Sequence, residues 1–287
     1  MERKVLKPES YPALLKEIPK LPKELYIIGE IPQEESLFLG IVGTRKFSHY
    51  GKEACEKIIE ELARYLGEAL VIVSGLALGI DAIAHQAALD NHLKTIAIPG
   101  SGLDSSVLHP RSNHSLAKKI VEKGGALLSE FPWDYPASVH TFPQRNRIIA
   151  GISQGVLVIE APKESGALIT ANYALEFNRD VFAVPGSIFN ENSIGTNNLI
   201  KSGAVPVTSG EDILSAFNIP VETEEKNLFL NLSPIEKQVI EALSEPIERD
   251  ELIRLLAMPV GEISPVLTSM EMNGLIKESG GEFYKAS

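Results

Sequence analysis

The chain has 287 residues, 44% of them hydrophobic and 23% charged, with a formal net charge of −11. This allows a substantial core with a second small domain and excludes a disordered chain. One cysteine, Cys55, excludes a disulfide framework and fits a reducing, cytoplasmic setting. The stretch from Met1 to Leu15 has no apolar run behind its charges, so neither export nor membrane insertion is expected. Pro220 to Ser287 holds 13 acidic and 6 basic residues, net −7, against net −4 for the rest. A basic patch in the larger part is therefore compatible with the sum.

Residues 1–36 are punctuated by Pro8, Pro12, Pro19, Pro22 and Pro32 and read as an extended lead-in with one edge strand at Leu25 to Ile28. From residue 37 to 217, short apolar runs occur at Phe38 to Val42, Leu70 to Val73, Thr95 to Ile98, Ala126 to Leu128, Val156 to Ile159 and Val181 to Val184. Segments of helical spacing lie between them, such as Ala54, Ile58, Leu62 and Leu66. Strands alternating with helices predict an α/β fold, a mostly parallel sheet with helices on both faces. Residues 218–231 have no apolar periodicity and read as a linker. Residues 232–287 predict a small winged-helix domain. Its first helix is capped by Ser233 with Glu236, the others cover Arg249 to Leu256 and Ile263 to Met272, and a hairpin turns at Gly280 and Gly281.

Three stretches carry candidate chemistry, two of them at predicted strand ends, where such sheets bind ligands, and the third at a predicted helix start. SGLALGIDAIAH (Ser74 to His85) reads as a strand, a glycine turn and a helix. Ser74, Gly75 and Gly79 would bring backbone N–H groups close to an anion. GTRK supplies Arg45 and Lys46 at the end of the first parallel strand. FPQRNR (Phe142 to Arg147) begins a helix that Thr141 can cap, placing Arg145, Asn146 and Arg147 in its first turns. Arginines at the positive helix end are unfavourable by about 0.3 to 1 kcal/mol each unless an anion offsets them. Two readings stand for them: contact with a bound anion, or pairing with Glu130 or Glu160. Phe142 either stacks on a base or belongs to the core. Asp81 and His85, at i and i+4, share a helix face without a third ligand, and Asp81 is expected to stabilise the first turn of its helix. No metal site is read. Neither G-x-G-x-x-G, nor a P-loop, nor G-x-S-x-G is present, so NAD, ATP and a serine hydrolase are disfavoured.

Together these stretches resemble the DNA-processing protein A (DprA/Smf) family. The likeness runs through GIVGTRKFSHYG, SGLALGIDAIAH, PGSGLDSSVLHPRSN, LLSEFP, FPQRNRIIAGIS, VIEAPKESGALITANYALEFNRDVFAVPGS and GTNNLIKSGAVPV. It implies a Rossmann-like domain with a C-terminal winged helix; the family's N-terminal sterile-alpha-motif-like domain is expected to be missing here. It also implies a non-enzymatic, cofactor-free protein that binds single-stranded DNA. Such a protein protects incoming DNA, loads the recombinase RecA in natural transformation, and acts as a homodimer through the Rossmann-like domain. By position, Arg45 would hold phosphate, Phe142 would contact a base and Arg111 would lie nearby. PASVHT, before Phe142, lacks the basic residue several members carry. The third predicted helix of that domain, Ile263 to Met272, has Glu271 and no lysine or arginine, so the domain is expected to contact protein. The alternative is an enzyme resembling nucleotide phosphoribohydrolases, although PGSGLD at Pro99 does not complete their P-G-G-x-G-T-x-x-E motif. A DNA-repair scaffold in a bacterium that never transforms fits the same residues.

Overall fold

A computed structural model describes residues 2–32, 35–220, 232–243, 246–273 and 275–285. The chain divides into two compact units, Met1–Pro220 and Val221–Ser287. Of the expected linker, 221–231 lies outside the described residues.

The first unit contains strands β1 (Arg3–Leu6), β2 (Leu25–Gly29), β3 (Leu37–Val42), β4 (Leu70–Ser74), β5 (Lys94–Ala97), β6 (Ala126–Ser129), β7 (Gly155–Val158), β8 (Asp180–Ala183) and β9 (Val205–Pro206). Its helices are α1 (Ala13–Lys16), α2 (His49–Leu66), α3 (Ile80–Asp90), α4 (His114–Glu122), α5 (Thr141–Ile152), α6 (Gly166–Glu176), α7 (Ile194–Lys201) and α8 (Gly210–Ala216). The nine strands form one sheet in the order β1-β2-β6-β5-β4-β3-β7-β8-β9. β3 to β9 are parallel, with Leu39 in register with Ile72 on one side and Gly155 on the other.

Continuous apolar runs form these strands because both sheet faces are covered. Ile96 and Leu128 point into a core shared with Ile148 and Ile149 of α5 and Ala167 and Ala171 of α6. Their chain neighbours Ala97 and Leu127 point the other way, onto Ala117 and Ile120 of α4. The lead-in differs from expectation. It supplies two strands, with β1 antiparallel to β2 and β2 antiparallel to β6, so the predicted edge strand is internal to the sheet. β1 was invisible because RKVL is only four residues long and places two charged residues before two apolar ones, so its sequence carries no period of two although the strand alternates in exposure as a sheet edge.

From β3 the chain builds outwards through β4 and β5 to β6, then crosses back to β7 on the other side. The carboxyl ends of β3 and β7 therefore flank the switch point, where an open α/β sheet leaves a crevice.

The second unit holds α9 (Pro234–Ala242), β10 (Ile247–Glu248), α10 (Arg249–Leu256), α11 (Val260–Met272), β11 (Ile276–Ser279) and β12 (Glu282–Lys285). The capping box forms, Ser233 N–H donating to Glu236 at 2.7 Å and Glu236 N–H to Ser233 Oγ at 3.3 Å. α11 begins at Val260, three residues before its expected start, because burial of Ile263, Leu267 and Met270 carries the helix through Pro265. β10 pairs with β12 and is too short for its alternation to register in sequence.

Candidate nucleic-acid interface

The crevice at the switch point is a cavity of about 370 Å³, lined by the loop after β3 (Gly43 to Lys46), by Phe142, Arg145 and Asn146 of α5, and by the start of α6. Arg45 and Lys46 are exposed, and neither enters an ion pair among the described residues. The Arg45 guanidinium carbon lies 5.2 Å from the centroid of the Phe142 ring, so cation and aromatic form one surface. Phe142 rests on Gly100, where a Cβ would come within 2.5 Å of the ring. On another side the His109 ring lies 5.8 Å away at 55°. A second, smaller cavity lined by Arg45, Leu78, His109 and Phe142 opens there, so the pair stands between two recesses. His109 is 33 residues from Phe142, and no local pattern announces the contact.

The SGLALG turn supports this surface, and the Gly75 donor expected to face an anion is engaged within the protein. Gly75 N–H donates to the Asp81 carboxylate at 3.1 Å, and Ile80 N–H, first in α3, donates to Thr44 O at 3.2 Å. Ser74 is fully buried and donates to Ile41 O at 2.6 Å. Gly79, at φ +83°, is needed because a side chain there would strike the backbone of Thr44 and Arg45. Leu76 adopts the left-handed region, at φ 58°, and Asn113 Nδ2 holds its carbonyl at 2.8 Å. Asp81 thus holds the preceding turn rather than its own helix, because its side chain folds back over it.

The arginines of FPQRNR divide. Arg145 is only 5% exposed; its Nη1 donates to Ile98 O, and its guanidinium fills the space that a Gly75 side chain would need. Burial lowers its pKa to about 10, opposed by Asp81, and burial likewise raises that of Asp81, opposed by Arg145. Arg147 lies outside the cavity and is buried in an ion pair with Glu130, whose carboxyl burial raises. For this residue the pairing alternative holds. Asn146 lines the cavity and donates to Gly166 O at 3.2 Å. Arg111 is exposed in the turn before α4 and does not line the cavity. Thr141 does not cap α5; its hydroxyl instead ties Ser138, accepting from Ser138 N–H at 3.0 Å.

Glu160, at the end of β7, has a role the sequence pattern did not indicate. It is buried and accepts from Ser48 N–H at 2.8 Å and Ser48 Oγ at 2.5 Å, while Ser48 Oγ accepts from Gly51 N–H at 3.1 Å. A carboxylate of the chain itself therefore sits at the N-terminus of α2, where a doubly wound fold would seat a cofactor pyrophosphate. A second phosphate group there would face like charge.

His85 is removed from any acid–base pairing with Asp81. It is fully buried, with Nδ1 2.7 Å from Thr95 Oγ1, which itself donates to Ile72 O at 2.7 Å. With the hydroxyl proton directed at Ile72 O, Nδ1–H is the donor to Thr95. Among the described residues, no group of three histidine, cysteine or carboxylate side chains is placed to hold a metal, and no single helix is long and apolar enough to cross a membrane.

A family model described as DNA recombination-mediator protein A matches residues 4–218, and one for the DprA winged helix domain matches 229–282. The chain is 38% identical to Protein Smf of Escherichia coli K12 over 96% of this chain and 75% of that one. It is 45% identical to DNA processing protein DprA of Streptococcus pneumoniae over 73% and 72% respectively. The solved structure of DprA from S. pneumoniae superposes with a TM-score of 0.69 at 41% identity, covering 75% of this chain and 74% of that one. DNA processing protein A from Helicobacter pylori, solved to describe its single-stranded DNA binding mode, superposes at 0.66 with 29% identity, covering 75% and 95%.

Burial lowers the pKa of His85 from 6.5 to about 3, with Arg145 acting in the same direction. The unfolded chain thus takes up a proton near pH 6.5 that the folded one refuses until about pH 3. The stability tied to His85 is complete above the upper value and is lost as pH falls towards the lower one; the raised Asp81 acts in the opposite sense. Urea unfolding between pH 7 and pH 5 is expected to show falling stability in the wild type and a shallower fall in His85→Gln.

Proposed function

The chain belongs to the DNA recombination-mediator protein A family, also called DprA or Smf, and from that membership we propose that it binds single-stranded DNA and delivers it to a RecA-type recombinase in the cytoplasm. The observation that carries the reading is the Arg45–Phe142 surface, its cation in no ion pair among the described residues and its ring accessible from two recesses. Arg45 and Lys46 would hold phosphate and Phe142 a base face, a combination that tolerates any sequence. Asn146 and the SGLALG turn shape the cavity, Arg145 positions that turn, and Arg111 approaches the strand from outside. Delivery to a recombinase rests on the family's description as a recombination mediator. Protection of incoming DNA in natural transformation is the setting such chemistry suits. Binding and hand-over by these groups require neither cofactor nor catalysis.

Two surfaces would serve partners. In the first unit, Phe189 is 93% exposed next to Ile188, and Ile188 lines a groove of about 390 Å³ together with Ile194 and Ile200. An apolar patch of this kind fits a second copy of the chain. In the second unit, the outer face of α11 from Val260 to Met272 borders a groove with no charged residue. That fits a protein partner better than phosphate.

Titration of a fluorescent oligothymidylate is expected to give an affinity that falls roughly tenfold over a fourfold rise in salt, the release from about two or three phosphates. Duplex should bind more weakly. Arg45→Ala should reduce the salt slope by about one, and Phe142→Ala should cost about 1–3 kcal/mol. A salt-insensitive affinity, or one unchanged in both variants, contradicts the reading. Separately, sedimentation is expected to show a dimer that Phe189→Asp converts to monomer; a wild-type monomer would remove the dimer proposal.

A further inference from the structure

An aromatic side chain outside the cavity stands on the same rim. Tyr135 lies in the loop between β6 and α5, 44% exposed. Its inner face stacks on the buried Phe131 ring, with centroids 5.2 Å and planes 18° apart, so packing already fixes its tilt. A ring held this way loses little conformational freedom when a second flat group covers its outer side.

Its backbone is held too. Tyr135 N–H donates to Pro132 O at 3.0 Å, and Tyr135 O accepts from Gly102 N–H at 2.8 Å. Gly102 packs so closely on the carbonyls of Pro132 and Trp133 that no side chain would fit between them. The loop therefore sits directly on the turn after β5. Two residues earlier in that turn is Gly100, the floor beneath Phe142. The supports of the two rings are at most about 7 Å apart along the chain, a separation suited to successive bases of an extended strand.

The loop from Pro132 to His140 supplies no lysine or arginine, and Asp134 beside the tyrosine is acidic. A phosphate would be repelled there; an uncharged base face would not.

We infer that Tyr135 is a second base-stacking platform, taking a nucleobase neighbouring the one on Phe142, so that the single strand runs across the carboxyl ends of β3, β5 and β6. The inference rests on the proposed DNA-binding role of Arg45 and Phe142 and gives the strand a direction.

The test uses the full chain with a short ligand, thymidine 5′-monophosphate, which carries a single base, and a long one, an oligothymidylate of about twelve nucleotides, near the range of single-strand site sizes. Tyr135→Leu keeps an apolar cover over Phe131 and removes the aromatic face, whereas Tyr135→Phe keeps that face. Thermal unfolding checks that both variants are folded. The leucine variant is expected to bind the long ligand about tenfold more weakly, with the salt slope unchanged, and the short one as wild type does. The phenylalanine variant should match wild type for both. Wild-type affinity of Tyr135→Leu for the long ligand, or equal weakening for both ligands, overturns the inference while Phe142→Ala still weakens both. Absence of single-strand binding by the wild type, or indifference to Phe142→Ala, overturns the underlying DNA-binding reading as well.

Discussion

The rim is organised around a buried cation, Arg145, which crosses beneath the SGLALG turn and donates to Ile98 O. Asp81 takes Gly75 N–H on the same turn and opposes the arginine's loss of charge. Burying two charges costs several kcal/mol each before their mutual attraction and hydrogen bonds are counted. Gly75 is small because the guanidinium occupies its side-chain space, and the end of β5 is held because its carbonyl accepts from that cation. The Gly100 turn under Phe142 follows directly from this anchored strand end.

Once those backbone groups are satisfied within the protein, recognition falls to exposed side chains. The N-terminus of α2 is met by Glu160 and the first N–H of α3 by Thr44. The two helix ends that would hold a nucleotide cofactor in a doubly wound fold are thus already engaged. What remains on the surface is an arginine that enters no ion pair among the described residues and lies against an aromatic ring, with recesses on either side. Such a surface favours a flexible polyanion with accessible bases over a compact cofactor.

The parallel strands and the winged helix were legible because their signals are local: apolar runs between glycine turns, and Ser233 three residues before Glu236. β1 and β10 were not, one being a half-exposed edge and the other two residues long. The positions of GTRK and SGLALG at strand ends and of FPQRNR at a helix start were readable, and the fold gathers all three. The division of labour among the arginines was not. Arg145 and Arg147 occupy equivalent sequence settings, yet one fills the space beside Gly75, 70 residues away, and the other pairs with Glu130. Pairing between distant segments leaves no periodicity, and a buried arginine reads in sequence like an exposed one.

The central claim is that Arg45 and Phe142 form the contact surface while Arg145 is the support beneath it. A crystal structure of the chain with a short oligothymidylate tests this most directly. The account predicts a base against the Phe142 ring, a phosphate on Arg45, and Arg145 still donating to Ile98 O without touching the strand. A phosphate seated on Arg145 with the Phe142 ring uncovered would contradict it.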